Sequence, residues 1–323
     1  MLSDSLETLG KPLRDLHKRF DEMTIPHRPA LWRYCLRLTG SAWDAEDLVQ
    51  ETLTRAFSRL SQFWQPLEPR PYLFRIATNA WIDGLRRHRL ALHSLEQMPD
   101  ARLPATTEDP ALTLAAMEAL VRLLPPRQRA VLLLTQVFEF TAGEVAAMLG
   151  TSEGAVKAAL HRARERLRSA REEEAVAAPA RPEASVPPAL LTRYLDAFNK
   201  RDPDAIVALL HTDVTGEIVG QAEEQGAEWA RKYSLSEWAD DPQPMWAEAG
   251  ELDGRQAVFV YFRTAEHERA LAWVITLESD AERLTAVRNY CFCPDLVRYA
   301  ADLMGEATSL YGYSYAPPGG DPA

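Results

Sequence analysis

The stretch that most constrains this chain runs from Phe140 to Arg168, FTAGEVAAMLGTSEGAVKAALHRARERLR. Thr141 followed three residues later by Glu144 is the pattern of a capping box, which starts a helix by satisfying backbone N–H groups that would otherwise be orphaned. Val145, Ala146, Met148 and Leu149 give that helix an apolar side. Gly150 can take the left-handed conformation that ends a helix, and Ser152 can cap the next one. Wound at about 3.6 residues per turn, the second helix sorts into two stripes. Val156, Leu160, Ala163 and Leu167 share the apolar one; Lys157, His161, Arg164 and Arg168 share the other, with Arg162 and Arg166 beside it. The first stripe docks the helix and the second is left facing something negative. A helix, a short turn and a basic helix form the helix-turn-helix arrangement, which presents its second helix to the major groove of DNA. The competing reading is a solvated charged face on an ordinary helical hairpin.

Charge sharpens the contrast. The chain carries a net charge of −11, yet up to Ala175 there are 24 Lys and Arg against 23 Asp and Glu, whereas from Val176 onward there are 12 against 24. The second half, at −12, is a poor candidate for contact with nucleic acid. At 323 residues the chain exceeds one comfortable core, so two or three domains are expected. Two stretches read as linkers: Met98 to Ala111, rich in Pro, Asp and Thr, and the Pro- and Ala-rich run from Ala175 to Ala189. They imply domains at 1–97, 112–174 and 189–323, with linkers at 98–111 and 175–188. No apolar run approaches the roughly 20 residues that span a bilayer, and the opening MLSDSLETLG lacks a signal peptide's apolar segment. A cytoplasmic protein with no membrane partner is expected. The cysteines (Cys35, Cys291, Cys293) lack zinc-type spacing; Cys291 and Cys293 alternate with Tyr290 and Phe292 as strand neighbours would, and a packing role in a reducing compartment is expected. No metal or cofactor is implied.

The N-terminal block reads as three helices: Leu31 to Gly40, Asp44 to Leu60 and Arg70 to Arg89. The second places Ala45, Leu48, Val49, Thr52, Leu53, Ala56, Phe57 and Leu60 on one face and Asp44, Asp47, Gln50 and Glu51 on another. The third puts Leu73, Ile76, Ala77, Ala80 and Gly84 inward and ends in Arg86, Arg87, His88 and Arg89. The loop between them, SQFWQPLEPR, holds two adjacent aromatics, Phe63 and Trp64.

Three motifs in order, DAEDLVQETLTRAF, RPYLFRIATNAWIDGLRR and LLPPRQRAVLLLTQVFEFTAGEVAAMLGTSEGAVKAALHRARERLR, resemble a bacterial ECF (extracytoplasmic-function) sigma factor over about half the chain, Pro29 to Arg171. The resemblance implies two all-α domains that bind DNA and polymerase, the second with a helix-turn-helix, and partners that are core RNA polymerase and promoter DNA. It implies that Asp44, Asp47, Gln50 and Glu51 meet the polymerase, an acidic hydrogen-bonding face for a basic partner. It implies that the third helix and the loop before it melt and hold the minus-ten element. There Phe63 and Trp64 would wall a pocket for an unstacked base, Asn79 would read a base edge, and Arg75, Arg86 and Arg87 would neutralise phosphates. Tyr72 stands where the family usually has tryptophan. The basic helix would read the minus-thirty-five element. Ser152, Glu153, Lys157, Ala158, His161 and Arg162 would stand near bases and adjacent phosphates, and Arg164, Arg166 and Arg168 would make backbone contacts. Arg127 and Arg129, on the supporting helix, are further candidates for phosphate contacts.

Beyond Arg171 the chain departs from the usual pattern. ALLTRYLDAFNKRDPDAIVALLHTDV reads as two helices entering a strand, and QAVFVYFRT, RALAWVITLE and RLTAVRNYCFC read as an antiparallel meander. The combination resembles the SnoaL-like, ketosteroid-isomerase-like cone: an α+β domain with a curved antiparallel sheet. Asp196, His211, Asp213 and Glu217 are its candidate polar groups, but an isomerase needs a carboxylate base facing an oxyanion donor, and no such pair is evident. Only Asp253-Gly254-Arg255 echoes the Asp-Gly-Gly-Gly-Arg motif of one fused group. The expectation is a sigma factor, not an enzyme, whose acidic C-terminal domain regulates it by intramolecular docking. The alternative is a helix-turn-helix transcription regulator with a ligand-sensing or enzymatic SnoaL-like domain.

Overall fold

The computed structural model describes residues 16, 18–59, 68–92, 124–172, 185–232, 234–280 and 282–310. The chain divides into two compact units, Met1–Pro179 and Ala180–Ala323. The expected linker at 98–111 lies outside the described residues, as does most of the one at 175–188.

The first unit is all helical. Helices α1 (Arg28–Thr39), α2 (Ala42–Arg59) and α3 (Pro69–Leu92) form one bundle. Gly40, with φ of 83°, ends α1 in the left-handed region, where a Cβ would be strained. The stripes read from the sequence meet here: Leu31, Tyr34 and Cys35 of α1, Ala45, Val49 and Ala56 of α2, and Leu73 and Ala77 of α3 are all buried. The Tyr34 hydroxyl is buried with them and stays within 2.7 Å of Thr78 Oγ1. Arg28 donates to the fully buried Glu46 carboxylate at 2.6 Å, so this buried charge is paired.

A second bundle holds α4 (Pro126–Gln136), α5 (Ala142–Leu149) and α6 (Glu153–Glu172). The capping box forms at α5: Thr141 Oγ1 accepts from the Glu144 N–H at 3.2 Å, and Glu144 accepts from the Thr141 N–H at 2.7 Å. Gly150 closes α5 in the left-handed conformation, and Ser152 Oγ accepts from the Ala155 N–H to cap α6.

These two bundles belong to one unit because aromatic side chains join them. Phe138 lies between Tyr34 and Phe74, with ring centroids 5.3 and 5.1 Å away, and Phe140 meets Phe74 at 5.2 Å. Arg70 donates to the Phe138 carbonyl at 2.6 Å while its guanidinium stacks 4.4 Å from the Phe140 ring. Between the two phenylalanines Glu139 takes a φ of 60°, a left-handed conformation rare for such a residue. Arg129 is likewise absorbed: it donates to the Leu38 carbonyl at 2.6 Å and lies 5.2 Å from the Trp81 ring. That corrects the expectation of a phosphate contact from Arg129, whose guanidinium is committed to holding α1 and α3.

The second unit opens with α7 (Pro188–Asn199) and α8 (Pro203–Val207), then builds a seven-stranded sheet. Its strands are β1 (Leu210–Ile218), β2 (Ala222–Gln225), β3 (Met245–Leu252), β4 (Arg255–Phe262), β5 (Ala270–Ser279), β6 (Leu284–Asn289) and β7 (Ala307–Thr308). Helices α9 (Ala227–Lys232) and α10 (Ser234–Asp240) precede β3, and α11 (Pro294–Met304) follows β6. The strand order is β2-β1-β6-β5-β4-β3, with β7 beside β5. Strands β4 to β6 form the expected antiparallel meander, β3 extends it by a strand that the sequence reading did not include, and register shifts in the β4–β5 and β5–β6 pairs mark the bulges that let a sheet bend. Two pairings differ from a wholly antiparallel sheet. Strand β1 pairs with β6 in parallel, and β7 with β5, so the sheet is mixed. The crossover from β1 back to β6 runs through the rest of the domain, a pairing that no local pattern announces.

Cys291 and Cys293 are not strand neighbours. Strand β6 ends at Asn289, whose side-chain oxygen accepts from the Cys291 N–H at 3.1 Å, and Cys293 precedes the Pro294 that starts α11. Burial pushes the Cys291 thiol up to about 12, which keeps it protonated at neutral pH.

Candidate polymerase and nucleic-acid interfaces

The polar face of α2 is set by the same periodicity that buries Leu48, Val49 and Thr52. Asp44 and Asp47 are exposed, and Gln50 and Glu51 half-exposed, on that side of the helix. Gln50 donates to Glu46 at 2.7 Å, and Glu51 accepts from Arg55 at 2.5 Å, with Arg87 of α3 at 3.9 Å. Asp44 and Asp47 are thus the more exposed carboxylates of the face, and Glu51 is partly neutralised by its neighbours.

On α3, Asn79 is exposed, and Arg75 lies 5.4 Å from the Tyr72 ring. Arg86 and Arg87 are exposed, with Asp83 3.9 Å from Arg86. Phe63 and Trp64 lie outside the described residues.

Helix α6 divides as its sequence dictates. Val156 and Ala163 are buried; Leu160 and Leu167 pack against Leu124, Leu132 and Ala163. Ser152, Glu153, Lys157, Ala158, His161, Arg162, Arg164, Arg166 and Arg168 are exposed. Some of these are partnered. Lys157 lies 3.7 Å from Glu153 one turn back, Arg168 donates to Glu165 at 2.7 Å, and Arg164 donates to Gln136 of α4 at 2.7 Å. The first two pairs are solvent-exposed ion pairs of the kind worth about 0–1 kcal/mol, which a phosphate or base can displace.

In the second unit the candidate polar residues are dispersed. Glu217 is held by Arg288 at 2.6 Å, and His211 Nδ1 accepts from the Asp213 N–H at 3.1 Å. Asp253 and Gly254, both at positive φ, turn the chain between β3 and β4, and Tyr299 donates to Asp253 at 3.0 Å. That echo of a family motif is therefore a hairpin turn. Sequence reasoning missed the Arg28–Glu46 pair and the packing of Phe138 and Phe140 against Phe74. The adjacency of two aromatics around a lone Glu139 at the end of α4 was the only signal for the latter.

Comparison with known proteins decides what this arrangement is. Sigma-70 region 2 matches residues 25–91, covering α1 to α3, and Sigma-70, region 4 matches residues 114–167, covering α4, α5 and most of α6. The ECF RNA polymerase sigma factor SigL of Mycobacterium tuberculosis is 37% identical over 147 residues, which cover 44% of this chain and 82% of SigL. The chain belongs to the ECF RNA polymerase sigma factor family. SigG from the same organism is 38% identical over 237 residues, spanning 64% of this chain and 63% of SigG. A solved structure of the M. tuberculosis ECF sigma factor SigJ aligns over 84% of this chain and 95% of its own, at 20% identity and a TM-score of 0.32. Among the described residues of this family member, no helix is long and apolar enough to cross a membrane.

Proposed function

We propose that the protein binds core RNA polymerase and directs promoter-specific initiation of transcription, acting as a cytoplasmic, non-enzymatic factor whose C-terminal unit modulates its activity. The observation that carries this is the pairing of two opposite surfaces on one helical unit. Helix α2 offers an outward acidic face, and α6, positioned by a capped helix-turn-helix, offers an outward basic one. A DNA-binding regulator that never joins polymerase needs the second surface and has no use for the first.

In this reading Asp44, Asp47, Gln50 and Glu51 meet the polymerase through complementary charge. Asn79 of α3 reads an unstacked base of the minus-ten element, Arg75, Arg86 and Arg87 hold the adjacent phosphates, and Phe63 and Trp64 supply the stacking surface. The first turns of α6 enter the major groove: Lys157 and Arg162 are placed for base edges, with Ser152, Glu153 and His161 beside them, while Arg164, Arg166 and Arg168 follow the backbone. The experiment that tests this is run-off transcription with purified core polymerase on genomic fragments, including the DNA upstream of the protein's own coding region. Discrete transcripts that require the protein are expected. DNA binding without any polymerase-dependent transcript would instead identify a regulator acting alone.

A further inference from the structure

Most arginines of α2 and α3 are engaged within the bundle. Arg55 pairs with Glu51 at 2.5 Å, Arg86 and Arg87 lie 3.9 Å from Asp83 and Glu51, and Arg70 donates to the Phe138 carbonyl at 2.6 Å. Arg59 and Arg75 have no carboxylate or carbonyl partner among the described residues.

Both stand against one buried ring. Tyr72 of α3 is buried, and its hydroxyl donates across to the Ala56 carbonyl of α2 at 3.4 Å. Arg59 ends α2 about one turn beyond Ala56 and is exposed. The Arg75 guanidinium lies 5.4 Å from the centre of the Tyr72 ring. Burial pushes the Tyr72 phenol above its ordinary range, and the charges of Arg59 and Arg75 act against that shift, so both cations reach the same side chain electrostatically.

We propose that Arg59 forms with Arg75 a two-arginine clamp on the phosphate backbone of single-stranded DNA, in which Tyr72 is the positioning residue that holds Arg75. This rests on the reading of α3 as the minus-ten surface, and adds Arg59 and Tyr72 to it. Availability selects the pair. An arginine bound to a carboxylate must give up that partner to take a phosphate, whereas these two give up water. Chemistry selects the ligand, because the planar fork of a guanidinium matches phosphate oxygens. Asn79 stands one turn beyond Arg75, so one face of α3 offers a cation for the backbone and an amide for a base edge. Tyr72 supplies the order: its ring is buried and its hydroxyl is bonded, so Arg75 is partly fixed before DNA arrives. The competing role for Arg59 is complementing the dipole at the end of α2, which stabilises the helix without touching DNA.

The test uses the full chain and a fluorescein-labelled oligothymidylate of about 15 nucleotides, followed by anisotropy across a salt series. Urea unfolding of each variant is measured beside it. Arg59→Gln and Arg75→Gln should each lower the salt slope by about 0.7, the loss of one phosphate contact on a single strand, and weaken binding about 5-fold near 0.1 M salt. Arg33→Gln removes an exposed charge from α1 and should leave the slope unchanged. Tyr72→Leu keeps both charges yet should weaken binding about 2- to 5-fold, the worth of an exposed cation–π contact. Tyr72→Phe should bind as the natural chain does, and the Tyr72→Leu loss should vanish in an Arg75→Gln background. If Tyr72→Leu does not fold, Arg59→Gln against Arg33→Gln decides. No measurable binding by the natural chain, an unchanged slope in Arg59→Gln, an equal loss in Arg33→Gln, or a Tyr72→Leu loss that persists in full without Arg75 would each overturn the proposal. None of these arms needs polymerase, so failure of promoter-directed initiation is read separately, in the run-off assay.

Discussion

Arg28 and Glu46 show how much a single pair can carry. The Glu46 side chain has no exposure, and its carboxylate takes hydrogen bonds from Arg28 at 2.6 Å and Gln50 at 2.7 Å. Removing the cation alone strands a buried anion, a loss of about 3–5 kcal/mol. Arg28→Ala should therefore lower the urea midpoint far more than Arg168→Ala, which deletes an exposed pair worth about 0–1 kcal/mol. The arginines of α6 are distinguished by a different measurement. Lys157→Ala and Arg162→Ala should weaken binding to a cognate promoter by about 1–3 kcal/mol and relax its sequence preference. Arg168→Ala should weaken all sequences alike and lower the salt slope by about one unit. Competition binding across a salt series separates the two; equal, sequence-independent losses from all three would remove base readout from Lys157 and Arg162.

At the scale of an element, α5 depends on its first turn. Thr141 and Glu144 satisfy each other's backbone donors, and Thr141→Ala should cost about 1 kcal/mol in urea unfolding. The hydrogen bond from the Thr141 side chain, aided by that from its backbone, holds the Glu144 carboxyl below the usual carboxylate range. A depressed folded-state value means that the contribution is present above the ordinary range and is lost as pH falls through the lower folded value. The gap between the natural chain and Thr141→Ala should therefore shrink on acidification below about pH 4. Helix α2 makes a prediction about its face. Asp47→Lys with Glu51→Lys reverses charge on the exposed side and leaves the buried Leu48, Val49 and Thr52 untouched. Loss of binding to core polymerase, measured by co-elution, is expected with helicity retained. The Arg55 contact that goes with Glu51 is a helical pair worth about 0.3–0.5 kcal/mol, too little to unfold the bundle. A folded double variant that binds normally would remove this face from the interface.

Across the whole molecule, charge is partitioned between the halves. The residues from Val176 onward carry a net −12, and those before it +1. A tethered polyanion competes with DNA for basic helices and repels the phosphate backbone at low ionic strength. Truncation after Ala175 should raise non-specific DNA affinity at low salt and change promoter activity, measured against the full chain in both assays. Identical behaviour would leave the second unit without a regulatory part in DNA binding. What the sequence alone determined was local. The capping box at Thr141, the stop at Gly150, the stripes of α2 and α6, and the meander from Arg255 to Asn289 all depend on neighbours within one turn or on alternation along one strand. Their family resemblance was legible for the same reason. Only the tertiary structure decided which residues meet across distance. Phe138 joins Tyr34 and Phe74, Arg129 turns inward to Leu38, β1 lies parallel to β6, and Trp238 closes a cavity with Trp273. Each of those pairings brings together residues tens of positions apart, and the free energy that selects them comes from burial and packing in the assembled fold, which no spacing along the chain encodes.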